Sequence, residues 1–508
     1  MDAVPSMLEY IVRGAASAVL PMNLLVMFIG LVVGIVGGML PGITTVTAVA
    51  LFVPFTFSMP PDMALIGLGG VFCGAMSGGA NAAILINTPG TANSAATCLD
   101  GYPMATKLGQ PGRALSISTM ASTFGGLFSA CALLFTAPLL SKIALNFGVP
   151  EMFALGVFGL SIVTAVSSHS IIKGLIGAIL GLLLGTVGID ATSATMRFTF
   201  GTTYLIGGVQ FVALLIGLFA FSQCLVTAEE SMKEYKREKR KKLDQILPSK
   251  SDIKRTSPTI LMCSIIGTII GAIPGTGGDI ASWIGYNESK RWSKHPEEFG
   301  HGAPEGIAAP EAANNAVSGG AMIPLLTLGI PGDSVTAIML GALMMQGITP
   351  GPLLFSTQTV DVYSIIISLF MANVFMCLLG YGAIRIFSKI SLVPMKWLNP
   401  IVFVFCVVGT YAINNNIYDV FLMIGAGIVG YFLIKLDFCM PPIILGLILG
   451  GTVEENLRRT LVLSDGSFSI FLSHPIALVL LAIAAISLLS PIFLNLWKKR
   501  STNKQSGN

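Results

Sequence analysis

Four Pro-Gly pairs interrupt apolar stretches of this chain: Pro41-Gly42, Pro89-Gly90, Pro274-Gly275 and Pro331-Gly332. Proline withholds a backbone donor and glycine admits positive φ, so each pair is a place where a helix breaks and leaves backbone groups without helical partners. A half-helix that starts after such a corner presents free N–H groups and the positive end of its dipole, which favours a carboxylate. Carbonyls that lose their partners before the corner can instead coordinate a sodium ion. Polar side chains crowd the same corners. The residues expected to hold substrate are Pro41, Gly42, Thr44 and Thr45, then Asn87, Thr88, Pro89, Gly90 and Thr91, with Pro274, Gly275, Thr276, Asn314, Asn315, Pro331, Gly332 and Ser334 from the second half. Thr47, Asp279 and Asp333 are the candidates for a coupling ion, because a carboxylate inside a membrane is costly and usually functional. Asp333, placed just after Pro331-Gly332, could equally cap the half-helix that follows.

The corners are duplicated. Gly34 and Gly38 before Pro41-Gly42 recur as Gly267 and Gly271 before Pro274-Gly275. Ser77-Gly-Gly-Ala80 leads to Pro89-Gly90 as Ser318-Gly-Gly-Ala321 leads to Pro331-Gly332. One Pro-Gly pair could be a packing kink, but four in register across a duplication point to a carrier whose broken helices meet at a substrate site.

The elements that must position these corners are membrane helices. With 53% hydrophobic and 11% charged residues and a mean hydropathy of +0.80, the chain has more apolar surface than a soluble domain can hide. Long apolar stretches predict an all-α polytopic membrane protein of about 12 transmembrane or part-spanning helices in two inverted repeats, counted against the roughly 20 residues that cross a hydrocarbon core. The expected organisation is a first repeat over 1–228, a charged cytoplasmic linker over 229–257, a second repeat over 258–497 and a cytoplasmic tail over 498–508. The segment Pro258–Tyr286, split at Pro274-Gly275, reads as a re-entrant hairpin with arms of about 16 and 11 residues, too short to cross twice.

Loop charge gives the orientation. Lys107 and Arg113 follow the second corner of the first repeat, whereas Lys290, Arg291 and Lys294 follow the first corner of the second. The loops 58–62 and 346–359 contain no Lys or Arg, so equivalent loops lie on opposite sides, as an inverted duplication requires. The start of the chain reads as an uncleaved first span. The eight cysteines are scattered without a CxxC pair and the four histidines are isolated, so no cofactor, disulfide framework or structural metal is expected beyond a coupling Na+ or H+. Gly277-Gly278-Asp279 approaches an intramembrane protease motif, but Thr276 breaks it, and no zinc pair, nucleophile elbow or P-loop occurs. The chain is therefore read as a non-enzyme that touches lipid and no nucleic acid. An anion channel with re-entrant selectivity loops is the rival reading.

Several blocks closely resemble the large membrane subunit of bacterial tripartite tricarboxylate transporters, the TctA family: Asn87-Thr-Pro-Gly90, Asp100-Gly-Tyr-Pro-Met-Ala105, Glu305-Gly-Ile-Ala-Ala-Pro-Glu-Ala-Ala-Asn-Asn-Ala316, Leu328-Gly-Ile-Pro-Gly332 and Gly347-Ile-Thr-Pro-Gly-Pro-Leu-Leu-Phe355. The resemblance implies secondary active uptake of a small organic anion across the bacterial cytoplasmic (inner) membrane, by symport, with a small TctB-like membrane subunit and a TctC-like periplasmic binding protein as partners. It departs from the tricarboxylate pattern at Asp279 and Asp333, where small or hydroxyl residues are more usual, and this speaks against citrate itself as cargo. Glu305 and Glu311 are expected to serve in a salt bridge or a cap.

Overall fold

The structure is a computed structural model, and it describes residues 7–40, 42–166, 170–190, 193–230, 245–383 and 395–489. Pro41 and the tail after 489 lie outside the described residues. Among those described, seven helices are long and apolar enough to cross a membrane, and six shorter apolar helices accompany them. This agrees with the expectation of an all-α polytopic membrane protein. The β-structure in these residues is one two-stranded antiparallel ribbon, β1 (Gly188–Ile189) with β2 (Met196–Arg197).

The chain forms two compact units, residues 1–142 with 212–431 and residues 143–211 with 432–508. The first unit contains every Pro-Gly corner. It opens with α1 (Met7–Ala18), α2 (Pro21–Met39), α3 (Thr45–Thr56), α4 (Pro61–Ile86), α5 (Cys98–Thr106) and the start of α6 (Pro111–Ala144).

In the second unit, α7 (Val149–Val166) and α8 (Ile171–Gly185) pack on a helix near the end of the chain, Pro441–Leu463. A Cβ at Gly181 or Gly446 would overlap the opposing backbone, so these helices meet through glycine, the contact by which helices gain van der Waals packing without a hydrophobic drive. An ionic cluster ties the ribbon to the same helix, with Arg197 paired to Glu454 at 2.8 Å and Arg458 to Asp190 at 2.8 Å.

Two structures repeat in the first unit. In the first half, α2 and α3 form a hairpin, and the long α4 is broken before α5. In the second half, α9 (Phe211–Glu229) leads to the hairpin of α10 (Lys250–Ala272) and α11 (Gly277–Trp292), followed by α12 (Pro304–Leu328), which is broken before α13 (Ser334–Met345). The corners match in dihedral angle as well as sequence. Leu40 and Ile273, which cap the first hairpin arms, sit at φ/ψ of −89/117 and −87/115, and the glycines that follow, Gly42 and Gly275, at φ of 88 and 85. At the second corners Asn87 and Gly329 are both left-handed, with φ of 52 and 71.

The two copies run in opposite directions. Arg255 near the start of α10 reaches Glu298, beyond the end of α11, at 2.6 Å, and Arg113 at the start of α6 reaches Asp252 at 2.6 Å. The α10–α11 hairpin therefore opens on the face that carries Lys107, Arg113, Lys290, Arg291 and Lys294. At the other end, the Gln346 amide after α13 donates to the Thr56 carbonyl at the end of α3 at 2.7 Å. There Asp62 at the start of α4 accepts from Asn23 at 3.4 Å. The α2–α3 hairpin opens on that second face, where the loops 57–60 and 346–358 contain no Lys or Arg.

The hairpin arms are longer than their sequence suggested, at 23 and 16 residues, and the first of them, Lys250–Ala272, is long and apolar enough to cross a membrane, against the expectation of two short re-entrant arms. Proline does not start α10, because Ser249 and Asp252 form a reciprocal capping box about two turns before it and fix the helix start at Lys250. Pro258 is accommodated inside the helix, where the Thr256 and Ser257 hydroxyls donate to the Asp252 and Ile253 carbonyls.

Candidate functional site

The corners of the second repeat interlock. The Gly275 amide donates to the Gly332 carbonyl at 2.8 Å, which joins the tip of the α10–α11 hairpin to the break between α12 and α13. Gly332 lies so close to α10 that a Cβ there would stand 2.3 Å from the Gly271 carbonyl oxygen. In the first repeat the Gly90 amide donates instead to the Gly79 carbonyl of α4 at 3.3 Å, and a Cβ at Gly90 would stand 1.9 Å from the Gly38 carbonyl oxygen of α2. Both breaks are thus extended segments pressed onto a glycine-bearing hairpin arm, a form of irregular backbone that membranes tolerate only inside protein or beside an aqueous cavity.

The local caps are also duplicated, with different chemistry. Thr91 and Ser94 share a hydrogen bond of 3.1 Å after the first break. At the equivalent place Asp333 accepts from the Thr336 amide at 2.8 Å and its hydroxyl at 2.7 Å, while its own amide donates back to that hydroxyl at 2.9 Å. Asp333 is therefore the N-cap of α13, with its carboxylate committed to the first turn. Asp279 stands differently. Its carboxylate is exposed, in the first turn of α11, and a Cβ at Gly277 would lie 3.0 Å from its Oδ1 and 3.8 Å from the Asp333 Cβ. The two acids flank one glycine.

Asn314 marks the point where the repeats meet. It is fully buried on α12, its Nδ2 donates to the Met76 carbonyl of α4 at 3.4 Å, and its Oδ1 has no partner. A Cβ at Gly278 would fall 2.5 Å from that Oδ1 and 2.6 Å from Nδ2 of Asn93. Thus the start of α11, Asn314 of α12 and Asn93 from just beyond the first break form one cluster. A buried carboxamide oxygen without a donor is costly.

The other expected residues divide into those near a corner and those that serve their own turn. Thr44 caps α3 by accepting from the Thr47 amide at 3.1 Å, and the Thr47 hydroxyl donates to the Phe219 carbonyl at 3.4 Å, in a π-turn of α9. Thr45 Oγ1 is buried without a partner. Asn87 is exposed, Thr88 donates to the Ile86 carbonyl at 3.3 Å, and the Thr276 hydroxyl donates back to the Ile273 carbonyl at 2.9 Å. Pro89, Pro274, Pro331 and Ser334 sit in the breaks themselves, the last as the first residue of α13. Asn315 points away from Asn314, with its Nδ2 donating to the Glu311 carbonyl at 3.3 Å.

Sequence reasoning missed two contributors, Asn93 and Asp100. Asn93 had a signal, as a carboxamide three residues past a Pro-Gly pair. Asp100 lies in a block that the resemblance had marked without a role. It is fully buried and its Oδ1 accepts from the amides of Gly300, Gly302 and Ala303 at 2.9, 2.8 and 2.8 Å, while Tyr286 donates to Oδ2 at 2.9 Å. Asp100 therefore ties α5 of the first repeat to the start of α12 in the second. Glu305 does form the expected salt bridge, to Arg255 at 2.8 Å. Glu311 does not, since its partners are the hydroxyls of Thr97 and Ser122.

Fold and site together define a polytopic membrane protein built from two inverted repeats, each with a hairpin and a broken helix whose corners converge. Residues 24–445 match the Tripartite tricarboxylate transporter TctA family, and the chain belongs to that family, which makes it a subunit of a tripartite transporter. It is 40% identical over 488 residues to a protein of Agrobacterium vitis described as an uncharacterized 52.8 kDa protein in the TAR-I ttuC' 3' region, with 96% of each chain covered. A second protein of that organism, described as uncharacterized in the TAR-II ttuC' 3' region, is 40% identical over 234 residues, 46% of this chain and 97% of its own. No solved structure shows significant similarity to the chain.

Proposed function

We propose that the chain is the translocation subunit of a secondary active importer that moves a small carboxylate through the cluster between Gly278, Asn93 and Asn314. The observation that carries this reading is the buried Asn314 carboxamide with its unpartnered oxygen, held at the start of α11 where the two inverted repeats touch. The positive end of the α11 dipole favours an anion there. A carboxamide contributes donors and acceptors without adding charge. Asp279, exposed beside the same turn, repels a highly charged anion and offers a ligand to a cation, which fits a substrate of modest charge moved together with Na+ or H+.

The basic face is cytoplasmic in this reading, the membrane is the bacterial inner membrane, and a TctB-like subunit and a TctC-like periplasmic binding protein complete the system. The test is uptake of radiolabelled carboxylates by cells or proteoliposomes that contain all three components. Saturable uptake that requires the binding protein and an ion gradient supports a carrier, and conductance that needs neither would make the chain a channel.

A further inference from the structure

The first unit buries two carboxylates completely, Asp100 and Glu311, and supplies them with different donors. Three of the four groups on Asp100 are backbone amides, which can only donate and so serve a carboxylate anion. Glu311 has only hydroxyls: Thr97 Oγ1 at 2.5 Å from Oε1 and Ser122 Oγ at 3.0 Å from Oε2. A hydroxyl donates or accepts by rotating, so this pair accommodates the anion and the acid alike.

No cation offsets a charge at Glu311 among the described residues. Of the basic residues nearby in the fold, Arg113 on α6 is paired with Asp252, and Arg255 on α10 with Glu298 and Glu305. On the other packed elements, Tyr286 of α11 is engaged by Asp100, Asp333 caps α13, and Cys98 of α5 is the titratable side chain that faces Glu311. Cys73 of α4 and Cys263 of α10 are buried thiols. A buried charge without a cation or amide donors is expensive, whereas a neutral acid between two hydroxyls is not.

Position gives the group a use. Glu311 lies two turns into α12 from the basic face and three residues before Asn314, so the two share one side of that helix. Its partner Thr97 lies four residues after Asn93. Both hydroxyls belong to the first repeat, and Glu311 belongs to the second. The geometry points to Glu311 as the proton-carrying residue of the transporter, placed between the basic face and the substrate cluster and sensed across the contact between repeats. This inference rests on the carrier reading above. When a proton adds to Oε1, that O–H donates to Thr97 Oγ1, whose own hydrogen turns away, and Ser122 still donates to Oε2. Release of the same proton to water on the basic side returns the anion with both hydroxyls donating.

The experiment is infrared difference spectroscopy of the purified full-length chain, titrated between about pH 5 and 9, with uptake measured in parallel on the reconstituted complex. The wild type should show a protonated carboxyl band that is lost in Glu311→Gln and kept in Glu305→Gln. Thr97→Val and Ser122→Ala should move the midpoint of that band by about one pH unit or more, and they keep the test open if Glu311→Gln does not fold. In proteoliposomes Glu311→Gln should abolish stimulation by an inward proton gradient while exchange of labelled substrate across the membrane persists. Identical spectra for wild type and Glu311→Gln, with full proton-driven uptake in the variant, would overturn the assignment and leave the carrier reading standing. A titrating Glu311 band in a complex that moves no substrate would sink the carrier reading and leave the proton site intact.

Discussion

At the scale of single residues, the breaks depend on glycine for room and on asparagine for contact. A side chain at Gly332 or Gly90 meets carbonyl oxygen within bonding distance, and the extended segment must lift off the hairpin arm to admit it. Gly332→Ala is expected to cost about 1–3 kcal/mol of stability and to reduce uptake more than tenfold, measured as initial rate after normalising for protein in the membrane. Asn314→Ala removes the carboxamide between Gly278 and Asn93 and should raise the substrate dissociation constant about tenfold to a hundredfold, the equivalent of about 1–3 kcal/mol, read by isothermal titration or scintillation proximity. Asp279 and Asp333 separate in the same way: Asp333→Ala should mainly lower the melting temperature, by the equivalent of about 0.5–2 kcal/mol, because it removes the cap of α13 that Asp333→Asn would keep. Asp279→Asn should alter the dependence of uptake on the cation gradient with little change in melting temperature, and unchanged gradient dependence would remove Asp279 from the coupling scheme.

Among the elements, the decisive contact is the one that Asp100 makes between α5 and the loop before α12. Four donors converge on one buried carboxylate, and Asp100→Ala strands three amides without water to replace it. The expected loss is at least about 3 kcal/mol, since each buried donor left unsatisfied costs about 1–3 kcal/mol, and thermal unfolding in detergent checks it. Much of this arrangement was legible in the sequence as a pattern of corners. The arm lengths were not, because the helix start depends on whether Ser249 and Asp252 close a capping box, and a proline at 258 looks like a boundary until neighbouring hydroxyls are seen to bond back to the helix.

For the whole molecule, the inverted arrangement has a direct consequence in sidedness. In a cysteine-free background, single cysteines placed at Ser58 and Thr357 should react with a membrane-impermeant maleimide from outside intact cells, and those at Lys107 and Ser293 only after the membrane is opened. Reaction of all four from one side would contradict the antiparallel repeats. The first unit holds both repeats' corners together, while residues 143–211 and 432–508 form a unit of their own, so each half of the chain contributes to both.

What the sequence determined by itself was the class: hydropathy demands a membrane, the repeated Pro-Gly corners demand broken helices, and basic loops that follow different corners in the two repeats demand inversion. These properties are local or additive along the chain, and periodicity and charge report them directly. The tertiary structure alone decided which polar residues matter, because partners such as Asn93 with Asn314, Asp100 with Gly302 and Thr97 with Glu311 lie about two hundred residues apart and share no local pattern. A buried polar group acquires its role from what donates to it, and that is settled only when the two halves pack.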